Sequence, residues 1–114
     1  MPPKINPLGL NPLQLKTLTL LQALAKLPGH AESLEGGAIR VSQLPHPHGD
    51  HFHLGPTVVA ARDASGLADP AAWAALERRG LIRSEFPLAA ILTPAGLAYD
   101  TGPTRQILHG AADH

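Results

Sequence analysis

Cysteine is absent from this chain, so disulfide bonds, thiolate metal sites and cysteine nucleophiles are all excluded. An excess of charge is absent too, because nine basic residues balance nine acidic ones. A neutral chain has no global field to attract nucleic acid, a membrane surface or an acidic ligand. Any electrostatic site must therefore be local.

Long apolar runs are also lacking. No segment approaches the roughly 20 apolar residues of a membrane span, and the N-terminus lacks the charged and apolar regions of a signal peptide. We therefore expect a cytoplasmic protein with no membrane partner. The 114 residues fit a single domain with one core.

The motifs of a self-sufficient enzyme are missing as well. The chain has no GxSxG nucleophile elbow and no phosphate-cradling glycine loop. Glu32 and Glu35 have no acid–base partner at a suitable spacing. These absences predict a protein that works by binding and is not an enzyme.

The first predicted helix begins at Asn11-Pro12, where an N-cap side chain precedes a proline, and it runs to about Leu27. Its core-facing stripe follows the helical period and comprises Leu13, Thr17, Leu20, Leu21, Leu24 and Leu27. Leu15 and Leu18 project from the other side. Either Ile5 or the C-terminal segment covers them, or they form the contact of a homodimer.

The two ends of the chain carry weaker signals than the middle. We predict a loosely held N-terminal segment over 1–10, a folded domain over 11–101 and a flexible C-terminal tail over 102–114. Scattered prolines and glycines mark the ends of elements between these limits.

A strand over 38–44 and the histidine-rich run after it predict a β-hairpin. Gly49-Asp50 suits a two-residue turn with glycine first, so the second strand begins at His51. Side-chain alternation places Phe52 and Leu54 on the apolar face. The opposite, exposed face carries four histidines, namely His46, His48, His51 and His53.

Imidazoles on one face, with Asp50 at the hairpin tip, offer the nitrogen ligands that Zn, Ni or Cu prefer. Neighbours across a strand pair lie about 4.5 to 5.5 Å apart, so two or three of these side chains can share one ion. Zn or another transition metal is therefore a candidate cofactor. The alternative is a polar face that keeps an edge strand from pairing with other chains.

Residues 46–51 also resemble the HxHxDH signature of the metallo-β-lactamase superfamily, whose residues there hold zinc that activates a water. The resemblance would imply zinc-dependent hydrolysis. That family, however, has an αββα fold about twice as long as this chain, with further ligands far downstream. Beyond Asp69, this chain has only Asp100, His109, Asp113 and His114 as histidine or aspartate residues. We interpret the match as coincidental, because the chemistry needs both the fold and the site.

The second half of the chain has clearer helix and strand signals. Thr57 caps a short predicted helix through Asp63 with Gly66 as its stop, although Val58-Val59 instead favour a longer strand. A firmer helix follows from Asp69-Pro70 to Arg79 and ends at Gly80. Strands over 81–84 and 88–93 and a last helix over 94–99 complete an α+β order of helix, hairpin, helix, helix, hairpin, helix.

That order resembles a winged helix-turn-helix domain, and the resemblance is sharpest from Ser65 to Tyr99. The run from Ala75 to Arg83 looks like the end of a recognition helix and the first wing strand of MarR-like regulators. The run from Leu92 to Leu97 looks like the close of the wing. The resemblance implies a winged-helix fold and a DNA-binding transcriptional regulator.

Arg78, Arg79 and Arg83 form the basic cluster of this segment and are the candidate phosphate contacts. Helical periodicity turns Ala72, Trp73 and Leu76 inward and leaves Ala71, Ala74, Ala75 and Arg78 facing outward. Ala71 and Ala74 would touch DNA without reading it by hydrogen bonds. Only Arg78 has the donors that direct base readout needs, so we expect low sequence specificity.

Two other interpretations of the same segment remain open. A winged helix can serve as a protein-interaction module, with its alanine-rich helix face as a flat docking surface. The three arginines can also be an ordinary solvated surface of a neutral chain.

Overall fold

The first helix begins where the sequence predicts it. In a computed structural model, which describes residues 6–45 and 49–110, α1 is Pro12–Leu24 with Asn11 as its N-cap. The Asn11 side chain accepts a hydrogen bond from the Gln14 backbone N–H at 2.8 Å, and the Gln14 side chain accepts one from the Asn11 N–H at 3.0 Å. This reciprocal capping box satisfies two backbone donors that the helix itself leaves unpaired.

Helix α1 is buried on most of its sides. It packs against a 3-10 helix at Ala61–Ala68, against α2 (Pro70–Arg78) and against a 3-10 helix at Gly102–Ile107. Leu18 is 0% exposed, so the prediction that it forms a dimer contact is wrong. Leu15 is half-buried against the same core. The alternative, that the C-terminal segment covers this side of the helix, agrees with the packing of residues 102–107.

Both flanking segments belong to the folded unit as far as they are described. The Tyr99 hydroxyl donates to Asn6 Oδ1 at 2.6 Å and accepts from the Leu8 N–H at 3.1 Å. At the other end, β7 (His109–Gly110) pairs with β4 (Thr57–Ala60). Polar ties and strand pairing therefore connect residues 6–10 and 102–110 to the rest of the domain.

Two small antiparallel sheets accompany the helices, so the α+β class is confirmed. The first sheet has the order β1-β2-β6-β5 and the second the order β3-β4-β7. The remaining elements are β1 (Ala31–Ser33), a 3-10 helix (Glu35–Gly37), β2 (Ile39–Ser42), β3 (His51–Leu54), β5 (Ile82–Glu85), β6 (Ala89–Leu92) and α3 (Pro94–Ala98).

The pairing of the predicted first hairpin falls on His46, Pro47 and His48, which lie outside the described residues. Among the described residues, β2 pairs with β1 and β6, and β3 pairs with β4 across a turn at Gly55-Pro56. The helix predicted from Thr57 is a strand over its first four residues, as the β-branched Val58-Val59 favoured. Phe52 and Leu54 are buried, so the predicted inner face of this strand is confirmed.

The second half follows the prediction closely. Helix α2 ends one residue before Arg79, and the β5–β6 hairpin pairs Ile82 with Leu92 and Glu85 with Ala89. One apolar core joins both sheets to the helices, and its largest fully buried side chains include Trp73, Leu18, Leu21, Leu54, Leu76 and Leu92. Among residues 6–45 and 49–110, no helix combines the length and apolar character that a membrane crossing requires.

Candidate nucleic-acid interface

Helix α2 is fixed in place through its inward face. Asp69 caps it by accepting from the Ala71 N–H at 2.9 Å, and Pro70 occupies its first position. Trp73 is 0% exposed, its Nε1 donates to the Gly66 carbonyl at 3.1 Å, and its ring meets Phe86 edge-on at 5.0 Å. The burial predicted for Trp73 from the helical period is confirmed.

Gly66 lets the 61–68 helix lie close on α1. A Cβ at this position would overlap Thr17 Oγ1, and the Thr17 hydroxyl itself is held by donating to the Leu13 carbonyl at 2.8 Å. The absence of a side chain at Gly66 therefore sets the approach of the segment that leads into α2.

The turn from α2 into β5 is tied to the start of α3. Gly80 has a φ of +75°, a conformation that favours glycine, and its carbonyl accepts from Thr93 Oγ1 at 2.7 Å. Gly96 lies so close to this turn that a Cβ there would overlap the Leu81 carbonyl. Together Thr93 and Gly96 give a physical reason for the run from Leu92 to Leu97 that the sequence analysis singled out.

The outward face of α2 differs from the prediction at one position. Ala71 is exposed and Ala74 is half-buried, whereas Ala75 is only 7% exposed and belongs to the inner face. Arg78 is exposed, as the helical period predicts. The helix therefore presents a narrow, small-residue surface that ends in an arginine.

The three arginines occupy two neighbouring surfaces. Arg78 and Arg79 line a shallow groove of about 300 Å³ together with Gln14 and Ala75, so this groove lies beside the first turn of α1. Arg83 is exposed on the outer face of the first sheet, directly across from Ile91 on β6.

The outer face of that sheet carries a second arginine, Arg40, which is not among the predicted site residues. Arg40 lies across from Ile91 on the other side, so Arg40, Ile91 and Arg83 form one row. The Nε of Arg40 lies 2.8 Å from Glu85 Oε1, an ion pair that spans strand β6. No local signal identifies this row, because β2 and β6 are about 50 residues apart along the chain.

Charge balance around the cluster favours an anion. Within the described parts of the chain, Arg78, Arg79 and Arg83 make no ion pair. The neighbouring Glu77 is exposed and accepts the Ser84 N–H at 2.9 Å, so its carboxylate reduces the local positive charge by one. Lys16 does not extend the cluster, because it pairs with Asp63 at 2.8 Å.

A second surface is apolar. Leu88, at the tip of the β5–β6 hairpin, is 74% exposed. A groove of about 510 Å³ lies beside this hairpin and is lined mainly by apolar side chains, among them Leu44, Phe52, Ala61, Leu67, Phe86 and Pro87. This surface is separate from the arginine cluster.

The predicted metal ligands are described in part. His51 and His53 lie on one face of β3 with their Nε2 atoms 3.0 Å apart, and Asp50 Oδ1 lies 3.2 Å from His51 Nδ1. His46 and His48 fall outside the described residues. The parts of the chain that are described contain no cluster of three or more such ligands. Comparison of the chain with protein-family models, characterised proteins and solved structures finds no match.

Proposed function

We propose that this protein is a small winged-helix DNA-binding protein that acts as a transcriptional regulator of low sequence specificity. The order of α1, β2, the 61–68 helix, α2, β5 and β6 supports this proposal, with β1 added before β2 and β3–β4 inserted after it. The strand order β2-β6-β5 supports it as well. In the proposed assignment, the 61–68 3-10 helix and α2, which follows it after Asp69, form the helix-turn-helix, with α2 as the recognition helix.

The observation that carries the proposal is the exposure of Arg78, Arg79 and Arg83 where α2 passes into β5. Arginine binds phosphate with a planar fork of donors, and phosphate contacts supply most of the affinity of non-specific DNA binding. In the proposed complex α2 enters the major groove, and the β5–β6 hairpin is the wing beside it.

Low specificity follows from the outward face of α2. Ala71 and Ala74 offer no hydrogen-bonding side chain to a base edge, although a methyl group can contact thymine. Arg78 is the one outward side chain on that face able to donate to a guanine. The binding constant should therefore depend mainly on phosphate contacts and hence on salt.

Titration of a labelled duplex at several salt concentrations tests the proposal. A chain that neutralises three phosphates should give a log–log slope of about −2.7, and a dimer a slope of about −5.4. Arg79→Ala should make the slope shallower by about 0.9 per chain. Arg105→Ala is the matched control and should leave the slope unchanged. Arg105 is also exposed but lies beside Gln22 and Lys26, away from the groove at Gln14.

A protein-docking module is the second candidate, and the exposed Leu88 beside an apolar groove favours it. Such a surface buries apolar area and responds little to salt. No detectable duplex binding at about 50 mM salt, where electrostatic association is strong, would reject the DNA proposal in favour of docking. Equal slopes for Arg79→Ala and Arg105→Ala would reject the arginine cluster as the contact surface.

A further inference from the structure

The outer face of β3 brings two imidazoles together on a rigid base. His51 and His53 are alternate residues of one strand, so both side chains stand on the same side of the sheet. Phe52 and Leu54, which alternate with them, are 8% and 1% exposed and fix the strand against the core. The two rings meet edge-on with centroids 4.8 Å apart.

We propose that His51 and His53 form a bidentate site for a transition-metal ion and that this site prefers Cu(II) or Ni(II) to Zn(II). The Nε2 atoms lie 3.0 Å apart. An ion bound about 2.05 Å from each nitrogen would then subtend an angle of about 94°. That angle fits adjacent positions of a square-planar or tetragonal ion better than the roughly 109° of a tetrahedral one.

Asp50 supports this geometry as a positioning residue. Its Oδ1 lies 3.2 Å from His51 Nδ1. A carboxylate at that nitrogen favours the tautomer with the proton on Nδ1, so the His51 Nε2 lone pair accepts a hydrogen bond from His53 Nε2–H. A metal ion bound by both nitrogens would replace that proton, which is released to solvent. The Asp50 carbonyl also accepts the Ala61 N–H at 2.7 Å, so the backbone at the start of β3 is tied to the end of β4.

The site is open to solvent. The His51 side chain is 39% exposed, and His53 is exposed. An ion held by two imidazoles therefore keeps further coordination positions for water or for a ligand from another molecule. This proposal does not depend on DNA binding, because β3 and the arginine cluster lie on different elements.

Metal titration of the 114-residue chain, with any histidine tag removed, tests the proposal by calorimetry and by electron paramagnetic resonance of Cu(II). We expect one ion per chain, coupling to two imidazole nitrogens, and affinities in the order Cu(II), then Ni(II), then Zn(II). His53→Ala should lower the Cu(II) affinity at least about tenfold. Asp50→Asn should lower it by about tenfold, the lower end for residues that orient a ligand.

His109→Ala is the matched control. His109 is an exposed histidine in the same row of the second sheet as His53 but lies two strands away, about 10 Å across the ladder. Its loss should leave the Cu(II) affinity unchanged. Wild-type affinity in His51→Ala/His53→Ala would overturn the proposal. A large loss in the His109→Ala control would overturn the two-histidine assignment.

Discussion

The segment from α2 to α3 and the β3–β4–β7 sheet pack on the same core but are held in different ways. In the first region, side-chain hydrogen bonds join neighbouring elements across 7 to 13 residues: Trp73 to Gly66, Ser84 to Glu77, and Thr93 to Gly80. In the second region, the described contacts of the backbone are strand pairing, and Phe52, Leu54 and Val59 fill the core side.

The two regions therefore differ in what their contacts fix. In the first region they fix the rotation and the end of helix α2, and in the second they fix only the face on which each side chain lies. A helix presented to a ligand needs its rotation and its end fixed, and the ties around α2 supply both. A strand already fixes its side chains to alternate faces, so the pairing of β3 with β4 is enough to place His51 and His53 on one face. Substitutions in the two regions should therefore differ in how much they lower the free energy of unfolding.

The largest expected effect is at Trp73. Trp73→Ala should lower the free energy of unfolding by about 3 to 5 kcal/mol, because it leaves a cavity where the helix meets Phe86. It also leaves the Gly66 carbonyl without its donor. Denaturant unfolding followed by circular dichroism measures the change.

Trp73→Phe separates packing from the hydrogen bond. It keeps an aromatic ring but removes Nε1, so we expect a smaller loss of about 1 to 3 kcal/mol. A near-neutral Trp73→Ala would contradict both the packing and the orientation of α2.

A second effect compares glycines from the two regions. Gly96→Ala should destabilise the protein by about 3 kcal/mol, because the new Cβ overlaps the Leu81 carbonyl and backbone cannot rotate away. Gly55→Ala, in the β3–β4 turn, should cost only about 1 kcal/mol. Gly55 has a φ of +60°, but its new Cβ meets Leu27 Cδ2 at 2.9 Å, the movable end of a side chain.

Thermal and denaturant unfolding of the two variants measure this comparison directly. If Gly55→Ala destabilised the protein as much as Gly96→Ala or more, the contact of Gly96 with Leu81 would relax easily. The turn after α2 would then be no more rigid than the β3–β4 turn.

The sequence predicted the second half of the fold well because its signals are local. Asp69-Pro70 and Thr93-Pro94 each combine a capping side chain with a proline, and Gly80 ends α2. Strands β5 and β6 are joined by a short connection, so their pairing needs no distant information. Arg78, Arg79 and Arg83 were placed on the surface by the same local reasoning.

The first half failed where distant segments compete. The β2–β6 pairing joins residues about 50 positions apart, so no local signal predicts it. The helical period of α1 predicts that Leu18 faces outward, yet Leu18 is buried. The 102–107 segment, which is distant in the sequence, packs on the same helix. The facing of His51 and His53 was still predicted correctly, because side-chain alternation depends only on there being a strand.

The smallest expected effect is on stability at the outer face of β3. His51→Thr/His53→Thr should change the free energy of unfolding by no more than about 0.5 kcal/mol without metal, because solvent-facing substitutions away from special features cost little. Threonine also suits a strand. Phe52→Thr, between them on the buried face, should cost roughly 3 kcal/mol or more. A loss above about 1.5 kcal/mol in the double variant would show that the imidazole pair is structural. If the imidazole pair is not structural, Cu(II) at about 100 times its dissociation constant should raise the free energy of unfolding of the wild type by about 2.7 kcal/mol. The same Cu(II) concentration should leave the free energy of unfolding of the double variant unchanged.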